Sequence, residues 1–164
     1  MTDPTSSPLT VTSGAHYACA QCGPLERLYD YYFEHPALAR PVPGKLFLGD
    51  VLGLSAMEVS LNRLPAKAAV PFYHRHRRHE ELYIFLRGRG QFQVDGAVLE
   101  VREGTVIRVD PAGERTWRNL CDEDLYYIVI QAAAGSLGSH GIDDGELVPR
   151  PVEWPADGGR EWSR

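Results

Sequence analysis

Short stretches of alternating apolar and polar residues run through the middle of the chain from residue 45 onward. Residues 56–64 show the alternation most clearly, with an apolar set of Met57, Val59 and Leu61 against a polar set of Glu58, Ser60 and Asn62. This is the period of a β-strand, in which successive side chains point to opposite faces. Further strands are predicted over residues 70–76, 81–86, 91–94, 98–101, 105–109, 116–119 and 125–131.

The turns between these segments indicate how the strands are arranged. Asp95-Gly96 separates two of them and is a strong signal for a two-residue hairpin. No helical period interrupts the series, which argues against a doubly wound sheet. The pattern therefore predicts an all-β domain, an antiparallel barrel or sandwich, over residues 45–135.

The two ends of the chain differ from this middle part. The Ser-, Thr- and Pro-rich stretch 1–14 predicts a poorly ordered tail. Residues 24–33 predict a short helix with Leu25, Leu28 and Tyr32 on one face. Residues 35–44, which include His35, carry three prolines and a glycine and predict an extended connector. We therefore expect residues 1–44 to form a tail, a short helix and a connector ahead of the barrel.

The last thirty residues are rich in glycine and proline. Trp154 and Trp162 are their only large side chains. We expect residues 136–164 to form an arm that lies over the barrel or over a neighbouring subunit.

Composition narrows the classes of function. The chain has 164 residues, 43% of them hydrophobic, and a net charge of −5, which argues against a nucleic-acid-binding surface. No stretch approaches the ~20 apolar residues of a membrane span, and residues 1–14 have neither the basic start nor the apolar segment of a secretory signal. We therefore expect a cytoplasmic protein without a membrane partner.

Three cysteines, an odd number, do not make a disulfide framework. His16, Cys19 and Cys22 resemble half of a zinc knuckle. Cys121 stands alone far downstream, so the second pair of a zinc site is missing. We expect Cys19 and Cys22 to lie outside the active site.

Candidate chemistry is concentrated in the stretch PFYHRHRRHEELYIFLRGRG, residues 71–90. His74 and His76 share one face of an extended chain, and Glu81 opens the next strand. Two imidazoles and a carboxylate can hold one divalent ion (Fe, Mn, Zn or Ni) on three protein ligands, leaving positions for solvent or a bidentate substrate. By the same parity His79 and Glu80 are expected to be exposed.

The residues expected to face inward around this set are Phe72, Tyr83 and Phe85, and these are the predicted substrate-binding residues. Tyr83 is also the only nearby candidate for a catalytic base, and its ordinary pKa near 10 makes it a poor one. A few polar groups in an apolar barrel mouth are typical of a site for a small molecule.

The spacing of this stretch resembles the first motif of the cupin family. His74, His76, Glu81 and Gly88 match its pattern of His-x-His, four residues, Glu, six residues and Gly. Its upstream glycine is missing, because Lys67 and Ala68 stand where it would fall.

The second cupin motif is matched in part. Its Gly, Pro-x-Gly and Asn positions correspond to Gly104, Pro111, Gly113 and Asn119. Its histidine, the fourth metal ligand of the family, is absent, since Thr116 or Arg115 falls there depending on the direction of counting.

The resemblance implies a double-stranded β-helix, or jelly-roll, barrel and a small-molecule ligand. It implies metal-dependent enzymes such as sugar-phosphate isomerases, epimerases or dioxygenases, alongside members without known chemistry. The missing histidine leaves a second possibility, a sugar-binding module without catalysis whose metal site is a relic. Because relatives commonly pair, and because the edge strands and the aromatic segments at both ends need covering, we also expect a homodimer.

Overall fold

The computed structural model describes residues 9–36 and 38–154. Its strands are β1 (Thr10–Gly14), β2 (Tyr17–Gln21), β3 (Tyr32–Phe33), β4 (Val42–Pro43), β5 (Lys45–Phe47), β6 (Met57–Leu64), β7 (His79–Arg87), β8 (Arg89–Val94), β9 (Ala97–Arg102), β10 (Val106–Val109), β11 (Arg115–Arg118) and β12 (Leu125–Ala133). A 3₁₀ helix covers Leu25–Asp30, and a single turn of α-helix, α1, covers Gly49–Leu52.

Two antiparallel sheets build the barrel. One has five strands in the order β10-β7-β12-β6-β5, and the other has three in the order β11-β8-β9. The predicted all-β jelly-roll fold is confirmed. The buried aromatic and aliphatic side chains between the sheets form one core: Tyr83, Phe85, Phe92, Val101, Val109, Trp117, Leu125, Tyr127 and Val129.

The polar face of β6 points into this barrel. The alternation alone would suggest the opposite, with the apolar face inside. Ser60 and Asn62 are buried, whereas Met57 is exposed. Asn62 is satisfied there because its Nδ2 donates to the carbonyl oxygens of Ser60 at 2.8 Å and Tyr127 at 3.3 Å. The barrel interior is thus polar along β6.

The outer face of the same sheet is covered by the segment that precedes the barrel. Leu28 of the 3₁₀ helix packs with Leu46 of β5 and Tyr126 of β12 in a second, smaller core, and Cys22 and Leu61 pack against it. Burial on both faces explains why the β6 alternation does not show which face points inward.

The N-terminal segment differs from the prediction in two respects. Thr10–Gly14, expected to be disordered, forms a hairpin with Tyr17–Gln21, since Thr and Val favour extended backbone even in a polar stretch. The helix is 3₁₀ and ends at Asp30. Tyr32 therefore lies in β3 and is exposed, away from the face that buries Leu28.

The prediction of a strand over residues 70–76 is also wrong. Within this segment a single isolated bridge forms, His74 with Arg115, and a second, Ala69 with Arg118, lies just before it. The chain is nevertheless extended enough to keep the predicted alternation: Phe72, His74 and His76 are half-buried, and Tyr73 and Arg75 between them are exposed.

Residues that resemble the cupin motifs have structural roles here. Gly88 has a positive φ of 92°, and a Cβ there would lie 2.4 Å from the carbonyl oxygen of Asp124, so a larger residue would clash with backbone. Asn119 is fully buried and donates to the carbonyl oxygens of Pro65 and Glu123 while accepting from the Cys121 N–H. Both residues fix the loops at one end of the barrel.

The described part of the C-terminal region, residues 134–154, contains no helix or strand and is exposed throughout. Trp154 is 72% exposed. Trp162 lies outside the described residues, and the packing of the arm stays a prediction. Among the residues that the structure describes, no helix is long and apolar enough to cross a membrane.

Candidate metal centre

Two elements carry the predicted ligands to the same end of the barrel. His74 is held by reciprocal backbone hydrogen bonds with Arg115, of 3.1 and 3.0 Å, and the His76 N–H donates to the Pro111 carbonyl at 2.9 Å. Glu81 is the third residue of β7 and faces inward. The extended segment before β7 thus lies against the loop and strand that carry the second motif.

The structure brings His74, His76 and Glu81 together. One potential ligand atom from each lies within 4.8 Å of the others, and no second group of this kind occurs within residues 9–36 and 38–154. His76 Nε2 lies 3.0 Å from Glu81 Oε1, and His74 Nε2 lies 3.7 Å from Glu81 Oε2. The ring nitrogens His74 Nδ1 and His76 Nε2 are buried and make no hydrogen bond within the described structure.

These donor atoms fit a divalent ion. Two ligand atoms at right angles, each about 2.1 Å from an ion, are about 3.0 Å apart. The His76–Glu81 contact has this spacing, yet its atoms are not aligned as donor and acceptor. Burial lowers the pKa of His76 despite the opposing charge of Glu81, so its imidazole is neutral at neutral pH and offers a lone pair.

Arg115 is the feature that distinguishes this site. Its side chain is completely buried, and its Nε and Nη2 both donate to Glu81 Oε2, the first at 3.0 Å. Its Nη1 donates to the carbonyl of Gly113 at 2.9 Å. The guanidinium therefore neutralises the carboxylate from the second motif, on the strand where the family resemblance predicts a fourth ligand.

Hydrogen bonding keeps Glu81 ionised. Burial alone would raise its pKa, but the nearby His74 imidazole and the hydrogen bonds from Tyr83 and Arg115 outweigh burial and lower it. The Tyr83 hydroxyl donates to Glu81 Oε2 at 2.5 Å. Oε2 is thus occupied by protein donors, and Oε1 remains the atom that faces His76.

Of the predicted substrate-binding residues, only Phe72 has appreciable exposure. Tyr83 and Phe85 are each 1% exposed and belong to the core. Burial and the nearby Glu81 charge raise the pKa of Tyr83, which keeps its hydroxyl protonated and makes it a support for Glu81 and an unsuitable base. Contact of these residues with a ligand stays a prediction.

Sequence reasoning missed a lysine in this region. The Lys45 amine donates to Asn62 Oδ1 at 3.0 Å and lies 4.7 Å from the Phe47 ring centre and 5.5 Å from that of Phe33. Burial lowers its pKa to about 8, although the charges of Glu81 and Glu58 favour the protonated form. The sequence offered one signal for it: Lys45 and Phe47 are two residues apart, so in an extended strand they lie on the same face.

An aromatic row connects Lys45 with the histidines. Phe33 stacks on His35, His35 stacks on Phe72 with ring centres 5.2 Å apart, and Phe72 meets His74 edge-on at 6.1 Å. His35, expected to be an unremarkable connector residue, is therefore part of the barrel mouth. His35 of the connector thus adjoins the candidate site through its stacking on Phe72.

Other candidates lie elsewhere. Cys19 is exposed on β2, and Cys22 packs against the second, smaller core, so neither lies with the histidines. A cleft of about 540 Å³ lies at the opposite end of β7, lined by charged side chains of both signs such as Arg87, Arg102 and Glu123. Its solvated charges make it a weaker candidate for a specific site than the buried cluster.

Comparison with known proteins places this geometry in a family. A model of the cupin domain matches residues 61–131. A cupin protein from Bacteroides fragilis is 35% identical, with a TM-score of 0.61, over 71% of this chain and 97% of that one. The chain belongs to the cupin family.

Two further solved structures resemble the barrel. A putative sugar phosphate isomerase from Acidithiobacillus ferrooxidans is 25% identical with a TM-score of 0.50, over 54% of this chain and 57% of that one. A sugar phosphate isomerase of the cupin superfamily from Silicibacter pomeroyi is 23% identical with the same TM-score, over 56% of this chain and 60% of that one, and shows the fold alone. No curated protein matches the chain.

Proposed function

We propose that this cupin binds one divalent metal ion through His74, His76 and Glu81 and uses it to hold a small polar molecule at the barrel mouth. The observation that carries the proposal is the cluster of potential ligand atoms from His74, His76 and Glu81, which lie within 4.8 Å of one another. In that cluster the buried His76 Nε2 makes no hydrogen bond in the described structure although it lies 3.0 Å from Glu81 Oε1. Such an ion would supply Lewis acidity and orient neighbouring oxygen atoms of the ligand.

The chain's own residues define the rest of the site. Arg115 and Tyr83 hold Glu81 in place by bonding its Oε2, which leaves Oε1 for coordination. Phe72 and His35 form an aromatic wall against which a sugar ring or another small polar ligand could pack. The similarity to a putative sugar phosphate isomerase supports an isomerase- or epimerase-like role, and three protein ligands would also suit a dioxygenase-like role.

A second function, binding of a small molecule without a metal, is favoured by Arg115. Its fixed positive charge already neutralises Glu81, so the cluster is electrically balanced without any ion. In that case the barrel would be a ligand-binding module whose metal site is a relic.

Metal analysis after reconstitution distinguishes the two functions. Wild type, His74→Ala and His76→Ala are loaded with Mn(II) or Fe(II) under anaerobic conditions, desalted and assayed, with the exposed His79→Ala as the matched control. The metal function requires metal bound in wild type and His79→Ala at a stoichiometry that falls in the other two. Equal, low metal in all four proteins would contradict it and favour the module.

The predicted homodimer stays a prediction. Large exposed side chains such as Tyr17 and Tyr32 lie on the N-terminal segment and offer a surface for pairing. Sedimentation velocity at micromolar concentration tests it, and a monomer under those conditions would contradict it.

A further inference from the structure

The chain contains only two lysines, and their surroundings differ sharply. Lys67 is a surface residue whose amine bonds the Leu120 carbonyl at 2.7 Å and the exposed Asp122 carboxylate at 3.0 Å. The Lys45 amine lies inside the barrel mouth, over the rings of Phe33 and Phe47.

The Lys45 amine makes fewer hydrogen bonds than a buried ammonium group can donate. It makes one hydrogen bond within the described structure, to Asn62 Oδ1, and an ammonium group has three donors. Asn62 is itself held by its bonds to Ser60 and Tyr127, so it fixes the direction of the amine. The residue as a whole keeps partial exposure, which leaves a path for a small molecule.

An amine in such surroundings has a distinct chemistry. Removal of water from around a lysine favours its neutral form, and the neutral amine is a nucleophile toward carbonyl carbon. The pKa of Lys45, lowered to about 8, agrees with this effect of the surroundings. Neighbouring Glu58 and Glu81 are the carboxylates whose charges act on the amine and oppose the shift.

We propose that Lys45 forms a second functional site in the barrel mouth that binds a small aldehyde or ketone by reversible imine formation. The amine nitrogen attacks the carbonyl carbon and a C–N bond forms. The carbonyl oxygen then leaves as water with the two amine protons, which gives a C=N bond, and hydration reverses the reaction. The step needs no oxidant, reductant or metal.

This site is independent of the proposed metal function. It uses residues of β3, β5 and β6, and none of His74, His76 or Glu81 takes part in bond formation. The open-chain form of a sugar carries a carbonyl of the required kind, so both sites could act on one ligand.

Reductive trapping tests the proposal directly. The full-length protein is incubated at pH 7.5 with glycolaldehyde and sodium cyanoborohydride, and peptide mass spectrometry follows alkylation of Lys45, Lys67 and the N-terminal amine. An amine with a pKa near 8 is about one-quarter neutral at this pH, compared with about 0.1% for an ordinary lysine. Allowing for its lower intrinsic nucleophilicity, we expect Lys45 to react at least about tenfold faster than Lys67.

Two controls make the result decisive. Lys45→Arg keeps the charge, and it must abolish the fast modification while leaving Lys67 labelling unchanged, with circular dichroism confirming the fold. Acetic anhydride reports only whether an amine is accessible and neutral. If it labels Lys45 preferentially and glycolaldehyde does not, the carbonyl site is refuted; equal glycolaldehyde rates at the two lysines refute it as well.

The same assay in His74→Ala and in the presence of EDTA separates the two proposals. Preferential alkylation of Lys45 should persist in both, even if metal binding is lost or never occurs. Loss of the preference in either condition would contradict the independence of the amine site.

Discussion

Replacement of Arg115 by histidine is the perturbation that tests the electrostatics of the site most severely. The Arg115 guanidinium holds a permanent positive charge against Glu81 Oε2. This charge lies next to the position that a metal ion bound to Oε1 would take. At a separation of about 5 Å and an effective dielectric constant of about 20, a dication and this charge repel by about 6–7 kcal/mol. Arg115→His removes the fixed charge and supplies an imidazole that can bind metal.

Because the surroundings relax and Glu81 loses its partner, only part of this repulsion should appear in the affinity. We expect the dissociation constant for Mn(II) or Zn(II) to fall by about a thousandfold or more, which corresponds to about 4 kcal/mol. Competition with a chromogenic chelator measures it. Arg115→Lys, which keeps a positive charge, is the matched control and should bind metal with the affinity of wild type.

Stability supplies the second readout of the same substitution. Removing one partner of a buried ion pair costs about 3–5 kcal/mol, so metal-free Arg115→His should unfold at a lower temperature than wild type. Added metal should raise the melting temperature of Arg115→His by more than it raises that of wild type, because the affinity gained on substitution adds to the stabilisation. A folded Arg115→His protein with unchanged metal affinity would refute the view that Arg115 controls the charge of this site.

Two further predictions follow from the buried charges. Lys45→Met should stabilise the protein by a few kcal/mol at pH 7, because the folded state must hold an amine whose pKa is lowered to about 8. This gain in stability should disappear as the pH rises from 8 to the ordinary lysine pKa near 10.5, because there the unfolded chain also loses its proton. Urea unfolding across this range measures it, and a gain that is constant with pH would contradict the reasoning. The pKa of Glu81 is lowered in the folded state, so ionisation of Glu81 stabilises the fold at any pH above the ordinary glutamate pKa of about 4.3. This contribution to stability is lost as the pH falls below that pKa. Acid unfolding of Glu81→Gln should therefore depend less on pH than that of wild type, with Glu80→Gln as the control; equal pH dependence in Glu81→Gln and wild type would refute the assignment.

The sequence by itself determined the class of the fold and most of its strands. Alternation, together with turn residues such as Asp95-Gly96, restricts the backbone locally, and it fixes strands whatever their partners are. Parity also determined that His74 and His76 share a face, since an extended backbone alternates its side chains even where no sheet forms around it. The grouping of these histidines with Glu81 followed from that parity together with the resemblance of the spacing to the first cupin motif.

Tertiary structure decided which face of each strand points inward and what else enters the site. The polar side of β6 faces the barrel because the outer side of the sheet is covered by Leu28 and its neighbours, a contact between residues far apart in sequence. Lys45 and Arg115 reach the site from β5 and β11, and the local sequence of neither strand shows which residue its cation would meet there. A buried cation becomes stable only when a partner such as Glu81 or Asn62 is brought to it by the fold, and for that reason the charge of the site depends on the three-dimensional arrangement.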